Sequence, residues 1–231
     1  MRTLDAGARD RSYIAVMADH DSRAGMRYST PQIIELVDRV HVPHDAALAR
    51  AFAVPDGVPA HQVSPSDGGL IHVLMRLANA RNVVEIGTLA GYSAILIARA
   101  LSPGGRLWTI ENDPRHAELA RTNLAAAGLA KTVTVLGGSA LDILPSLVRE
   151  GPFDAVFIDA DKVNYDRYGR WALENLRTGG LVIGDNAYLF GELMEDKPEA
   201  RAMRAFHELV GKTCHSVCAP TPDGLVVGIK R

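Results

Sequence analysis

From residue 83 onward, short apolar runs alternate with segments in which apolar residues recur every three to four positions. That alternation separates buried strands from the helices packed on them. It predicts strands over Val83–Ile86, Arg106–Ile110, Thr132–Leu136, Phe153–Ile158 and Leu181–Gly184. Helices are predicted over Tyr92–Ala100, from Asp113-Pro114 to Ala127, over Leu141–Arg149 and Tyr165–Leu176, and from about Pro198 to Val210. Asp113 followed by Pro114 suits a helix start, and Gly128 suits the left-handed residue just past its end. Two last strands, near His215–Ala219 and Leu225–Ile229, flank Thr221-Pro222-Asp223-Gly224, a turn sequence that predicts an antiparallel hairpin at the sheet edge. The order implies an α/β fold: a doubly wound seven-stranded sheet, mostly parallel, with an antiparallel C-terminal hairpin.

Before residue 80 the pattern is weaker. Residues 1–25 alternate charges with small residues and show no lasting apolar period, so they read as a poorly ordered extension. Residues 26–231 read as one domain, in which 26–80 supply N-terminal helices. The first helix starts near Pro31, with Ser29 or Thr30 as its cap, and Ile33, Ile34, Val37 and Val40 mark one of its faces. A second is expected over His44–Ala53. After a crossing rich in Pro and Gly comes a third, whose buried face is Ile71, Leu74, Met75 and Ala78 and which ends before Asn82.

Composition narrows the class. The 231 residues are 47% hydrophobic and 23% charged, with a formal net charge of -2, an ordinary globular balance with no bulk attraction to nucleic acid or anionic membrane. Cys214 and Cys218 are the only cysteines, too few for a disulfide framework or a zinc site, and read as reduced thiols beside a strand. No stretch approaches ~18 consecutive apolar residues, as a membrane span requires. The first residues lack the apolar core of a signal peptide. These features fit a cytoplasmic enzyme.

In open α/β sheets, ligands sit at the carboxyl ends of the strands, and the predicted strand ends are unusually acidic. Strand one ends at Glu85-Ile86-Gly87, strand two at Glu111, strand three near Gly138-Ser139-Ala140, strand four at Asp159, strand five at Asp185-Asn186. The turn after strand one is Glu85-x-Gly87-x-x-x-Gly91, not the G-x-G-x-x-G that cradles a pyrophosphate. In this Rossmann-like setting it suits a ligand with ribose and adenine but no diphosphate, which points to S-adenosylmethionine. Gly87 and Gly91 let the backbone approach that cofactor. Glu111 can accept both ribose hydroxyl protons, or merely complement a helix dipole. Ser93, at a helix start, can hold the methionine carboxylate or simply cap. Ser139 and Ala140 border the adenine.

Asp159, Asp185 and Asn186 form a hard, all-oxygen set suited to Mg²⁺ or another divalent cation such as Ca²⁺ or Mn²⁺. The plain alternative is that they are turn and capping residues. Two close carboxylates without a cation would repel and raise one pKa. Lys162, three residues after Asp159, is the candidate base, or a surface lysine.

The segments VVEIGTLAGYSAILIARAL, TIENDP, FDAVFIDADKVNYDRY and LRTGGLVIGDN resemble the cation-dependent class I S-adenosylmethionine O-methyltransferases of the catechol and caffeoyl-coenzyme A type. The resemblance covers roughly residues 60–231. It implies Asp159, Asp185 and Asn186 as metal ligands, and Lys162 with Asp159 at the reacting centre. Its cofactor contacts are Val63, Glu85, Gly87, Thr88, Ser93, Glu111, Ser139, Ala140 and Asp159. It also implies a homodimer. Two segments depart from the family pattern: His61 stands where a methionine is usual, and Ala187-Tyr188-Leu189-Phe190 replaces an apolar-Trp pair. Both adjoin the acceptor pocket in the family.

The expected activity is Mg²⁺-dependent O-methylation of a small molecule with vicinal oxygens: catechol-like, phenylpropanoid or another secondary metabolite. A hydroxylated uridine in tRNA is an alternative acceptor, against which the near-neutral charge weighs. A binding module without catalysis is a further alternative, though it has no need of the metal trio. The missing third glycine disfavours an NAD-dependent dehydrogenase.

Overall fold

Capping side chains decide where the chain before the sheet becomes helical. The computed structural model describes residues 30–58 and 60–231, so Ser29 and the extension expected over 1–25 lie outside the described residues. Helix α1 (Pro31–His41) is capped by Thr30, whose hydroxyl accepts from Ile33 N at 3.3 Å. Helix α2 (Ala46–Phe52) is shorter than the expected His44–Ala53 because Asp45 is its cap, accepting from Ala47 N and Leu48 N. His44 is thereby left in the linker, where its Nε2 meets Tyr92 OH at 2.8 Å. Helix α3 (Pro65–Leu77) is capped by Ser64; Ile71 and Met75 are buried, with Leu74 and Ala78 half-buried against the same core. On α1 the apolar face is exposed: Ile33 is 47% and Val40 60% accessible.

The sheet comprises β1 (Asn82–Ile86), β2 (Arg106–Glu111), β3 (Val133–Gly137), β4 (Phe153–Ile158), β5 (Leu176–Gly184), β6 (Cys214–Ala219) and β7 (Leu225–Lys230), in the order β3-β2-β1-β4-β5-β7-β6. The first five strands are parallel, and β7 runs antiparallel to β5 and β6. The helices are α4 (Tyr92–Ala100), α5 (Pro114–Ala126), α6 (Ala140–Leu147), α7 (Tyr165–Asn175) and α8 (Pro198–Thr213). Adjacent residues along a strand face opposite layers. Val83, Leu107, Ala155 and Phe157 pack with α3, α4 and α5, whereas Val84, Trp108, Val156 and Ile158 pack with α6, α7 and α8.

Most boundaries move by a residue or two from the sequence expectation. The exception is β5, which begins at Leu176 and not Leu181. Leu176 pairs with Phe153, and the Thr178-Gly179-Gly180 stretch forms an irregularity within the strand. Asp154 stitches the entry edge there: it accepts from Arg81 N, Asn82 N and Arg177 Nε at 2.7–2.9 Å. Helix α8 also runs on to Thr213, so β6 starts at Cys214 without a loop. Strand order reverses between β1 and β4, which opens the crevice at their carboxyl ends. Among the described residues no helix is long and apolar enough to cross a membrane.

Candidate active site

A cavity of about 900 Å³ opens over the carboxyl ends of β1, β2, β3, β4 and β5. Val63, Gly87, Thr88, Ser93, Glu111, Ser139, Ala140, Asp159, Lys162, Asp185 and Asn186 all line it. Of the segment Ala187-Tyr188-Leu189-Phe190 only Phe190 is on the lining, and of the cofactor, metal and base candidates Glu85 and Gly91 are not.

The turn after β1 shows why. Gly87 has φ +98°, and a Cβ there would lie 1.9 Å from the Asp159 carbonyl oxygen. Its identity is therefore fixed by the crossing of the β4 end. Gly91, at φ +85°, starts α4 in the left-handed region, and its missing Cβ faces Ala120 and Leu124 of α5. It serves the turn and helix packing, not the cavity wall.

Glu85 is fully buried just beneath the turn. The register pairs it with Thr109 of β2, whose hydroxyl donates to Glu85 Oε2 at 2.6 Å and lies 2.5 Å from Thr88 Oγ1. Burial pushes the Glu85 carboxyl up to about 7, and its Oε1 has no partner among the described residues. The carboxylate carries the turn from below through Thr109 and Thr88.

Glu111 is tied to the same turn from the side. It accepts from Leu89 N at 2.8 Å, Thr88 N at 3.2 Å and Asp113 N at 2.9 Å. Sequence reasoning offered its carboxylate a ligand or a helix dipole; the structure adds the backbone of the glycine turn. Ser93 lies in the first turn of α4, and Ser139 and Ala140 lie at the start of α6 on the β3 side. Tyr92, Asn112 and His116 also line the cavity and were not anticipated. His116 falls one turn into α5, where nothing in the sequence distinguishes it from a solvent-facing residue.

The β4 and β5 ends hold the other group. Asp159 N bonds the Ile86 carbonyl at 2.8 Å, and Asp185 N bonds the Ile158 carbonyl at 3.0 Å, so each acid follows its strand directly. The buried Tyr165 hydroxyl sits 2.8 Å from the Ile158 carbonyl and 2.7 Å from that of Asp185, clasping the two strand ends together. Burial, then the charges of Asp159, Asp185 and Asp161, hold this phenol well above its ordinary pKa, so it remains a donor. Asn186 is left-handed at φ 53°, a conformation asparagine tolerates better than most residues. The next residues, through Ala187 N and Tyr188 N, bond the Gly224 and Asp223 carbonyls of the hairpin turn at 2.9 and 3.0 Å.

Asp185 is 3% accessible, and its Oδ1 has no partner among the described residues. Burial, then the Asp159 charge, raises its pKa far above the carboxylate range. An orphaned buried carboxylate oxygen beside a second carboxylate and an amide oxygen is what a hard cation would satisfy. Among the described residues no three His, Cys, Asp or Glu side chains gather as a metal cage. The candidate set has two carboxylates and one carboxamide, which leaves the rest of a cation's shell to solvent and ligand. Lys162 Nζ reaches Asp159 Oδ1 at 3.0 Å and lies 4.8 Å from the Tyr165 ring centre.

A profile of the O-methyltransferase family matches residues 46–216. A catechol O-methyltransferase of Niastella koreensis is 43% identical over 191 residues, spanning 78% of this chain and 86% of that protein. A catechol O-methyltransferase of Mycobacterium tuberculosis is 43% identical over 177 residues, 76% of this chain and 80% of that protein. The crystal structure of an O-methyltransferase from Bacillus cereus in complex with SAH superposes with a TM-score of 0.81 at 37% identity, covering 87% of this chain and 97% of that one.

Proposed function

The chain belongs to the O-methyltransferase family, and from that premise we propose that its S-adenosylmethionine-dependent methyl transfer requires a divalent cation, Mg²⁺ first, and a small acceptor with two vicinal oxygens. The observation that carries the proposal is Asp185, a buried carboxylate with an unpartnered oxygen next to Asp159 and Asn186. Asp159, Asp185 and Asn186 are the residues that would hold the cation. Bound there, it would supply a Lewis-acid charge that lowers the pKa of an acceptor hydroxyl well below ~10 for a free phenol.

The remaining work falls to the chain. Ser93 in the first turn of α4 suits the methionine carboxylate of the cofactor, and Glu111 its ribose. Ser139, Ala140 and Val63 border the rest of the nucleoside. Lys162 Nζ, 3.0 Å from Asp159, stands where an acceptor hydroxyl proton can be taken up. The acceptor oxygen then forms a bond to the sulfonium methyl carbon as the S–CH₃ bond breaks, leaving a neutral thioether. Lys162 keeps the proton until product leaves. His61, Phe190 and Asp223 also line the cavity. Phe190 is 66% accessible at the mouth and presents an apolar ring to an aromatic acceptor.

The test is turnover of a 1,2-dihydroxybenzene acceptor by purified enzyme after exhaustive EDTA treatment. Activity should vanish and return on adding Mg²⁺. Full turnover in EDTA would overturn the cation requirement while leaving the methyltransferase assignment intact.

A further inference from the structure

Glu111 spends more of its carboxylate on the glycine turn than a clamp on two hydroxyls would leave free. Oε2 accepts from Thr88 N and Leu89 N, and Oε1 accepts from Asp113 N. An ionised carboxylate offers about four lone-pair directions. Both on Oε2 are taken, and one on Oε1 remains. A ribose presents two vicinal hydroxyls, each a donor, and a single open site does not serve both.

The side chain facing that open oxygen is His116. Its Nδ1 lies 3.8 Å from Glu111 Oε1, too far for a bond between them, and the two side chains are only 14% and 12% accessible. Both line the cavity beside Asn112. Neighbouring charged groups do not compete for the position. Arg115 pairs with Asp113 at 2.7 Å and is largely exposed. Two acceptors about 4 Å apart suit two adjacent hydroxyls whose bonds diverge at ~2.8 Å each.

The geometry points to His116 as the second acceptor for the ribose diol of the cofactor. Nδ1, as the ring nitrogen without a hydrogen, takes one hydroxyl and Glu111 Oε1 the other. This rests on the reading that places the cofactor ribose at the Glu111 end of the cavity. The arrangement also explains how one carboxylate can hold the turn and still recognise a diol. The turn is fixed before ligand arrives, and only the outer oxygen and the imidazole face the ribose.

The experiment measures binding of S-adenosylhomocysteine and of its 2′-deoxy and 3′-deoxy analogues by calorimetry, with wild type, His116→Phe, His116→Asn and Glu111→Gln. His116→Phe should weaken S-adenosylhomocysteine about three- to tenfold, the worth of one neutral hydrogen bond. That loss should shrink to roughly twofold or less on one deoxy analogue and persist on the other. His116→Asn, which restores a polar acceptor, should recover part of it. An equal loss on all three ligands, or no loss on the parent, would overturn the acceptor role of His116. If wild type binds both deoxy analogues as tightly as the parent, the placement of the ribose at Glu111 fails instead.

Discussion

Lys162 Nζ lies 3.0 Å from Asp159 Oδ1, on the cavity side of the β4 end. Among the described residues, Lys162 is the one lysine or arginine on the cavity lining, where Glu111, Asp159, Asp161, Asp185 and Asp223 supply carboxylates. Its position follows from local structure: the short turn Lys162–Asn164 brings the side chain back over Asp159 and against Tyr165. In the proposed mechanism Lys162 would move a proton from this position without travelling.

Replacing Lys162 by Met keeps the length of the side chain and removes the nitrogen. Turnover should fall by about 10²–10⁴-fold, the usual contribution of a positioned base. Cofactor affinity should change little, because the hydrogen bonds of Lys162 run to Asp159 and Tyr165 and not to Ser93 or Glu111. Steady-state rates together with calorimetry of S-adenosylhomocysteine binding check this. Wild-type turnover in Lys162→Met would assign the proton to solvent.

Glu85 predicts a pH dependence of stability that can be read without substrate. Its carboxyl is raised from an ordinary 4.5 to about 7 by burial. Between those values the folded state binds the proton and the unfolded state does not. The group therefore costs stability progressively as pH rises through that window, fully so above about 7. Glu85→Gln should remove this slope and gain about 2–3 kcal/mol over wild type at pH 8 relative to pH 4.5. Denaturant unfolding at a series of pH values gives the comparison. Parallel curves would mean that Glu85 is ionised in the fold at all these values.

Much of the architecture was legible because hydrophobic period and turn chemistry agreed. Val83–Ile86, Phe153–Ile158 and the Asp113-Pro114 start were read in place, and the acids at the strand ends followed from topology alone. What was not legible has a common cause. Leu176 reads as the end of the preceding helix, and only pairing with Phe153 makes it strand. His44 reads as helical, and only the Asp45 cap excludes it. The family resemblance makes Glu85 a cofactor contact; its place beneath the cavity depends on its cross-strand neighbour Thr109. Tyr165 bonds the Asp185 carbonyl 20 positions away in the chain, and His116 lies beside Glu111, five positions away. Sequence gives side-chain type and spacing, whereas such partnerships exist only once strands and helices are docked.

Asp185 should show opposite effects on stability and on activity. Without a cation its buried charge sits beside Asp159 unpartnered, so Asp185→Asn should stabilise the metal-free protein by about 1–2 kcal/mol at pH 8. The same change removes one of the two carboxylates proposed to hold Mg²⁺, and turnover should fall by orders of magnitude. Thermal unfolding in EDTA and turnover in Mg²⁺ are the paired measurements. A variant that is both less stable without metal and fully active with it would show that Asp185 is a structural acid.

The acceptor should carry two adjacent oxygens, and a matched pair of compounds decides it. The proposed ligand set supplies three protein oxygens, from Asp159, Asp185 and Asn186, so a hard cation preferring six leaves room for a two-oxygen guest. A guest held at two points would keep one oxygen oriented for transfer, and orientation of this kind is worth several powers of ten in rate. A compound with one hydroxyl can occupy the same cavity of about 900 Å³ but is free to pivot about a single bond. A 1,2-dihydroxybenzene and its mono-deoxy analogue, assayed at equal concentration with saturating Mg²⁺ and S-adenosylmethionine, should differ by about 10³-fold or more. Phe190→Ala should weaken both compounds alike, since the exposed ring would face the apolar body they share. Equal rates on the pair would mean that Asp159, Asp185 and Asn186 do not position the acceptor through a shared cation, and that selectivity arises at the Phe190 wall.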